Sequence, residues 1–477
     1  VNRQQGIWIT TAVAIGLSVA ALPTALLVIG GVVIAFILLC AITPLAALMF
    51  LLILAPLRTL IATEAAFQLP LDIGQLALLG FLSTWVLHTF VLRRTPARLH
   101  WSAIYLPLLI FLTLMGVNAF TAQSIGTWIN EWLKWLQMLA LAVVVVHLLS
   151  GQRWHWLVAG LVVAGVANAL IGLYEFFGGS GALHLLINNR FFRAFGTFGQ
   201  PNPFGGFMGL LAPIALMSVL NYGMRFWKTR RTQDFYLLLF YTLACAILFA
   251  GIVISWSRGA WLGVVVAMMV MFLALPRKTL YGVGLAGVAL LLTGALWISG
   301  ALPASVIARI SSSTEEFFAF QDVRGVDISP ENYPVVERLA HWQAALNMAR
   351  AHPWLGVGLG GYEIAYPDYR LINWHEPLGH AHNYYLNILA EGGIIGLLAY
   401  GKVWLLIIWL TWRVRSHPDN LSRLTAIGIL GTWTYLGIHS LFDNLYVNNL
   451  FIHIGTILGI LGVLYNQVIG HVKLRLE

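Results

Sequence analysis

Charged side chains make up only 9% of this 477-residue chain, against about 25% in soluble domains. That shortage excludes an ordinary soluble globular protein. Cysteine is nearly absent. Cys40 and Cys245 sit inside apolar runs without ligand-type neighbours, so they read as small core residues, and neither a disulfide framework nor a cysteine-rich metal site is indicated. The chain has no Walker phosphate loop, no GxSxG elbow, no HExxH or CxxC pair and no DxD carboxylate pair in its long hydrophilic insertion. These gaps argue against nucleotide hydrolysis, serine acyl transfer, a zinc site and a magnesium-held diphosphate. No β-barrel alternation and no internal repeat is visible, so the backbone crosses a bilayer as helices.

What is present is apolar length. Hydrophobic residues account for 59% of the chain, mean hydropathy is +0.82, and 19 tryptophans with 16 tyrosines suit anchoring at membrane interfaces. Apolar segments run over 6–22, 24–40, 43–57, 71–91, 102–121, 127–149, 154–177, 201–222, 234–255, 259–275, 279–299, 382–412, 421–441 and 447–468. At roughly 20 residues per span, this reads as an all-α polytopic membrane protein with 12–14 transmembrane helices and one long, partly helical outer loop. It divides into a bundle at 1–299, the loop at 300–380 and the rest of the bundle at 381–477.

The formal charge of +9 could suggest nucleic acid, but its distribution gives another reason. Arg93, Arg94 and Arg98; Arg225, Lys228, Arg230 and Arg231; Arg277 with Lys278; Arg413, Arg415 and Arg423; and Lys473 with Arg475 all fall on one side by alternation. The positive-inside rule makes that side cytoplasmic. Both termini then lie inside, and 58–70, 178–200, 256–259, 300–380 and 442–446 face outward, toward the periplasm of a bacterial cell. No nucleic-acid partner is expected. The opening VNRQQG lacks a cleavable signal pattern, so the first span is expected to stay as an anchor.

Residues 300–380 form the longest hydrophilic stretch, with five arginines against nine carboxylates. Ser311 to Glu316 reads as a helix start, and Pro334 to Ala351 as a helix carrying Arg338, Trp342 and Ala345 on one face. Pro353 ends that helix before the glycine-rich WLGVGLGGY. Loops this long are usually functional.

Arginine on the outer side runs against the topology rule and asks for a reason. Arg258 lies in SWSRGAW, at the hinge between two apolar segments, with no acid nearby in sequence. It reads either as a snorkelling side chain or as an anion clamp, since guanidinium suits bidentate contact with phosphate. Arg190 and Arg193 stand in NNRFFRAFGTFGQPNPFGG, just before a helix start that would itself attract an anion; the alternative is a solvated loop charge. With Arg338 they suggest a single diphosphate target. Two histidines, His380 and His382, precede the apolar run HNYYLNILAEGGIIG. The positive end of that helix disfavours imidazolium, so His382 can act as a general base, with His380 a partner or alternative base; a capping role is the plainer reading. His341 and His375 are weaker candidates. Glu391, inside the same run, either pairs with a buried base or shapes a cavity.

HNYYLNILAEGGIIGLLAY resembles the histidine signature of the O-antigen ligase and polymerase superfamily. SRGAWLGVVVAM is similar to its serine-arginine-glycine hinge, RAFGTFGQPNPFGGFM to its arginine loop, and ERLAHWQAALNMARAHPWLGVGLGGY to the segment before the histidine. The resemblance covers roughly 190–400 in the family's order. It implies a lipid-linked-donor glycosyltransferase of the inner membrane, without metal, ATP or other cofactor, that inverts the anomeric centre at the periplasmic face. Its implied partners are an undecaprenyl diphosphate-linked glycan donor, a lipid A–core acceptor and membrane lipids. On this reading His382 takes the acceptor proton with His380 beside it. Arg193 and Arg258 hold the diphosphate, helped by Arg338, and Arg190 has the same chemistry outside the motif. The short tail HVKLRLE and the HNYYL signature favour a lipopolysaccharide ligase over a protein oligosaccharyltransferase or a polymerase. A lipid-linked sugar transporter is the alternative outside the enzyme class. The polar candidates gather at one face, which favours a one-sided active site over alternating access.

Overall fold

The apolar runs fold as helices. The computed structural model describes residues 24–57, 73–92, 99–149, 153–179, 181–187, 190–300, 307, 309, 311, 322–329 and 332–476. The first half of the bundle comprises α1 (Thr24–Ile42), α2 (Pro44–Leu54), α3 (Ile73–Val86), α4 (Tyr105–Val117), α5 (Ile125–Leu148) and α6 (Trp154–Tyr174). Next come a short hairpin of β1 (Leu186–Ile187) and β2 (Phe191–Phe192), then α7 (Pro201–Thr229), α8 (Thr232–Ile254), α9 (Arg258–Ala274) and α10 (Thr279–Ile298). The hydrophilic insertion carries α11 (Tyr333–Ala351) and α12 (Tyr362–Tyr369), and α13 (Tyr384–Val414), α14 (Asn420–His439) and α15 (Leu450–Leu476) complete the chain.

Every apolar segment expected from 24–40 onward thus has its helix. The segment 6–22, the outward stretch 58–70 and the cluster Arg93, Arg94 and Arg98 lie outside the described residues, as does most of 311–316. Among the described residues, eight helices are long and apolar enough to cross a membrane, and three shorter apolar ones (Pro44–Leu54, Tyr105–Thr121 and Arg258–Ala274) stand beside them. The protein is an all-α, multi-pass membrane protein. The expected 12–14 spans counted every apolar run, including those three. At 1.5 Å per residue, the 17 residues of α9 reach about 26 Å, short of the roughly 30 Å hydrocarbon core.

Helix α7 is the hub, packing against α6, α8, α9 and α14. A Cβ on Gly209 would fall 1.9 Å from the Tyr435 ring, so only glycine lets α7 and α14 approach this closely. Two interhelical hydrogen bonds fix the contact: Tyr435 Oη donates to Gly205 O (2.8 Å) and Thr432 Oγ1 to Leu210 O (2.7 Å). Close small-residue packing plus interhelical hydrogen bonds is how helices associate where lipid removes the hydrophobic drive.

The sequence reads 382–412 as one uninterrupted run, but α13 is broken. Gly393 adopts φ 62°, ψ −164°, a region that effectively requires glycine. The break opens the ladder, and the turn after Pro353 inserts into it. Ile394 N donates to Pro353 O (2.8 Å), while Val357 N and Gly358 N donate to Ala390 O and Glu391 O (3.0 Å each). The main-chain groups freed by the break are therefore satisfied by the loop, as a low-dielectric setting demands. Glu391 serves this junction and not a base: its carboxylate accepts from Tyr362 N (3.2 Å), at the start of α12. Around it, Ala344, Ala345, Met348, Tyr362, Tyr366, Ala381 and Ala390 form a buried cluster that seats the hydrophilic insertion on the first half of α13.

Candidate active site

Two groups of polar side chains meet at one end of the bundle. The first is cationic. Arg193, Arg258, Arg309 and Arg338 line one narrow cleft together with Asn202, Ser257, Gly259, His439 and Phe442, around about 30 Å³ of water-accessible space. They come from four places in the chain. Arg193 follows β2, Arg258 is the first residue of α9, Arg338 lies on α11 and Arg309 lies in the hydrophilic insertion.

Local backbone chemistry explains how the arginine loop is held. Glu175, buried at the end of α6, accepts from Phe195 N (2.8 Å) and Gly196 N (2.7 Å) through one oxygen. Arg193 Nε then donates to Ser255 O (3.2 Å) and Nη2 to Asn202 Oδ1 (3.4 Å). Across the cleft, Arg309 Nη2 donates to Trp256 O (3.2 Å). Trp256 sits at φ 53° in the three-residue link between α8 and α9, a left-handed conformation that the tight reversal imposes. The N-termini of α7 and α9, at Asn202 and Arg258, both reach this cleft, so two macrodipoles add to the guanidinium charge. Burial, followed by repulsion from Arg309, Arg338 and Arg258, pushes Arg193 down to about 9, against a weaker pull from Asp443. Such a cleft favours an anion, which would relieve that repulsion.

The second group is a histidine–aspartate cluster. Asn383 caps α13, its Oδ1 accepting from Tyr385 N (3.0 Å) and Leu386 N (3.1 Å). That cap leaves the preceding turn to present His380 and His382, whose rings lie 4.5 Å apart. His382 has φ 53°, a left-handed conformation that costs a non-glycine residue about 1–3 kcal/mol. Asp443, buried after α14, faces both rings: Oδ1 is 3.6 Å from His380 Nε2 and 3.8 Å from His382 Nδ1. These separations exceed a hydrogen bond and are close electrostatic contacts. Burial alone would raise the Asp443 carboxyl, but His382, His380 and His439 outweigh it and hold the group below the usual carboxylate range. His380 is pushed down to about 4, by burial first, with Asp443 opposing and His382 and Arg338 adding repulsion.

The two groups share walls. His439, one turn before Asp443, lines the cationic cleft, and His341, three residues along α11 from Arg338, has its ring 5.8 Å from that of His382. Tyr435 Oη donates to Gly205 O, so it accepts from His439 Nδ1 (2.9 Å) and leaves Nε2 as that ring's acceptor. Buried His341 is tied to Tyr362 Oη (2.9 Å) and stacks on Tyr366.

Of the residues singled out from sequence, Arg193, Arg258 and Arg338 converge on the cleft, and His380 and His382 stand together beside it. Arg190 does not reach it; it is exposed at the hairpin turn, its guanidinium 4.9 Å from the Phe191 ring. Asp443, Asn202, Arg309, His439 and Glu175 received no role from sequence. Asp443 did leave a signal, being the only carboxylate between Asp419 and Glu477. One atom from each of His380, His382 and Asp443 lies within 4.8 Å of the others, so the same trio offers the ligand number of a three-residue catalytic metal centre.

Fold and site together define a polytopic helical membrane protein with an arginine-lined cleft beside a histidine–aspartate cluster. Residues 243–401 match the family described as O-antigen ligase. Over 196 residues the chain is 29% identical to the O-antigen ligase of Pseudomonas aeruginosa, a match covering 41% of this chain and 39% of that protein. The alignment thus spans about two fifths of the relative's length. Over these residues the chain is similar to the O-antigen ligase family.

Proposed function

We propose that this protein transfers a glycan from an undecaprenyl diphosphate carrier to a lipid A–core acceptor at the periplasmic face of a bacterial inner membrane. The observation that carries this reading is the convergence of Arg193, Arg258, Arg309 and Arg338 on one cleft whose wall, at His439, leads within one turn to the His380–His382–Asp443 cluster. Arginine-rich binding supplies what a departing diphosphate needs, charge-assisted hydrogen bonds that strengthen as negative charge develops.

In the reaction, Asp443 orients His382 through Nδ1–H, leaving Nε2 as the base. Nε2 takes the proton of the acceptor sugar hydroxyl as its oxygen attacks the anomeric carbon. The bond from that carbon to the diphosphate oxygen breaks, and the carrier diphosphate leaves into the arginine cleft. Attack opposite the leaving group inverts the anomeric centre. The present 3.8 Å between His382 and Asp443 shortens on substrate binding, as catalytic contacts commonly do.

One observation favours a second reading. The spacing of the His380, His382 and Asp443 ligand atoms would also admit a divalent cation, which would activate the acceptor hydroxyl as a Lewis acid. The four neighbouring arginines weigh against placing a cation there. The test is a transfer assay with purified protein and carrier-linked glycan, offering lipid A–core, a peptide or a second carrier-linked repeat in turn, with and without EDTA. Chelator-resistant formation of a lipid A–core conjugate supports the proposal. Glycan lengthening on its carrier indicates a polymerase, activity lost to EDTA and restored by zinc indicates the metal reading, and no transfer with a verified donor returns the transporter class.

A further inference from the structure

A second and larger cavity lies at the opposite end of the bundle. It is bounded by the starts of α6, α8 and α14, the last turns of α7 and the C-terminal part of α15, and holds about 690 Å³. Pockets that hold small ligands span about 300–1,000 Å³. Both cavities are built on α7 and α14: Asn202 and His439 line the cationic cleft, whereas Asn221 and Asn420 line this one. At 1.5 Å per residue the separation is about 30 Å along either helix, a full hydrocarbon thickness.

Three observations bear on what this cavity takes. Asn221 is 1% exposed and lines the cavity, yet neither its amide oxygen nor its amide nitrogen has a hydrogen-bond partner in the protein. A buried amide in that state calls for a polar partner. Arg225, also in the wall, is 47% exposed, and its recorded ion pair is a single Nη2 contact to buried Asp234 (3.0 Å). Guanidinium carries five N–H donors. The rim is apolar and exposed: Trp156, 53% exposed, stands in line with exposed Val163 and Leu170 at seven-residue spacing along α6. Leu239 and Leu243 give α8 a similar exposed apolar face.

We propose that this cavity binds the phosphodiester headgroup of a membrane phospholipid that enters sideways past Trp156. Besides Arg225 the lining holds one carboxylate, Asp419, whose Oδ2 is engaged by Ser422 N and Oγ (2.8 Å each). It also holds the rings of His155 and His417, and the amides of Asn221, Gln233 and Gln467. One partly neutralised arginine in that setting matches a singly charged phosphodiester. It does not match a diphosphate, for which the far cleft gathers four arginines. The acyl chains would lie along the exposed faces of α6 and α8. This inference is independent of the transfer reaction at the other end.

The test uses the whole protein, delipidated in detergent, by native mass spectrometry and thermal unfolding. Dioleoyl phosphatidylethanolamine and phosphatidylglycerol are compared with dioleoylglycerol, glycerol 3-phosphate and inorganic phosphate. The expected result is a retained phospholipid adduct and a raised unfolding midpoint for wild type, with neither from dioleoylglycerol. Asn221→Leu and Arg225→Gln should each cut occupancy about tenfold or more. Because Arg225→Gln also leaves Asp234 without its partner, Asn221→Leu is the decisive variant. Without lipid its midpoint should equal or exceed that of wild type, and added phospholipid should not raise it. Equal lipid retention by wild type and Asn221→Leu overturns the proposal. So does equal binding of dioleoylglycerol, an equal shift with inorganic phosphate or glycerol 3-phosphate alone, or no adduct on wild type, which would mean that the cavity holds water.

Discussion

His382 Nδ1 and Asp443 Oδ1 stand 3.8 Å apart, and each owes its place to a different helix end. His382 precedes the N-terminus of α13, and Asp443 follows the C-terminus of α14. The two ends are tied by a main-chain hydrogen bond from Tyr384 N to Ser440 O (2.8 Å). In the proposed reaction this pairing sets the tautomer of the base.

Removing either partner should therefore act on turnover. His382→Gln is expected to lower the transfer rate by about 10²–10⁴-fold, the usual contribution of a general base. Asp443→Asn should cost about 10²-fold or more by allowing the wrong tautomer. Donor affinity, measured by binding of carrier-linked glycan, should remain within about threefold of wild type for His382→Gln.

The arginine cleft should separate from the base in the same assay. Arg258→Ala and Arg193→Ala each remove charge-assisted hydrogen bonds worth about 1.5–3 kcal/mol, so donor affinity should fall roughly 10- to 150-fold with acceptor affinity little changed. Arg190→Ala, whose side chain lies outside the cleft, serves as the control and should leave donor affinity near wild type. Equal loss toward donor and acceptor would remove the diphosphate assignment.

Acid should destabilise the fold. Burial, with repulsion from neighbouring His382, holds His341 down at about 3, and burial likewise holds His380 at about 4, whereas a free histidine titrates near 6.5. Between these values the unfolded chain binds more protons than the folded one, so stability rises with pH. The contribution is complete above about pH 6.5 and is lost as pH falls through about 4. Asp443, held low in the fold, loses its contribution at still lower pH. Thermal unfolding in detergent from pH 8 to pH 4 should show a falling midpoint below about 6.5; a flat profile would contradict these environments.

Gly393 offers a structural test. A Cβ there would fall 2.4 Å from the Trp354 carbonyl, in a backbone conformation that side chains rarely adopt. Gly393→Ala should lose at least about 1–3 kcal/mol of stability. It should also release the turn after Pro353, seen as faster proteolysis within 353–361.

Much of this was legible in the chain, for identifiable reasons. Apolar length located the helices because a bilayer imposes a minimum span. Arg193, Arg258 and Arg338 stood out because they fall on the side that the positive-inside rule reads as outer, and His382 because a titratable group opens a buried helix. The break at Gly393 was hidden because hydropathy is blind to φ, and the loop that fills it lies about 40 residues away in sequence. Asp443 was hidden because its partners come from another connection, although it is the only carboxylate in its stretch. Glu391 was noticed, but its role required the insertion of the glycine-rich turn. Arg190 and Arg193 could not be separated by spacing alone; the hairpin turn between β1 and β2 directs them to different surroundings.

The most direct test of the account is a single-turnover transfer from carrier-linked glycan to lipid A–core in EDTA, comparing wild type with His382→Gln at saturating donor. The account predicts a conjugate from wild type, and from the variant full donor binding with the rate reduced by at least about 10²-fold. A variant that transfers glycan at the wild-type rate would contradict the assignment of His382 as the base.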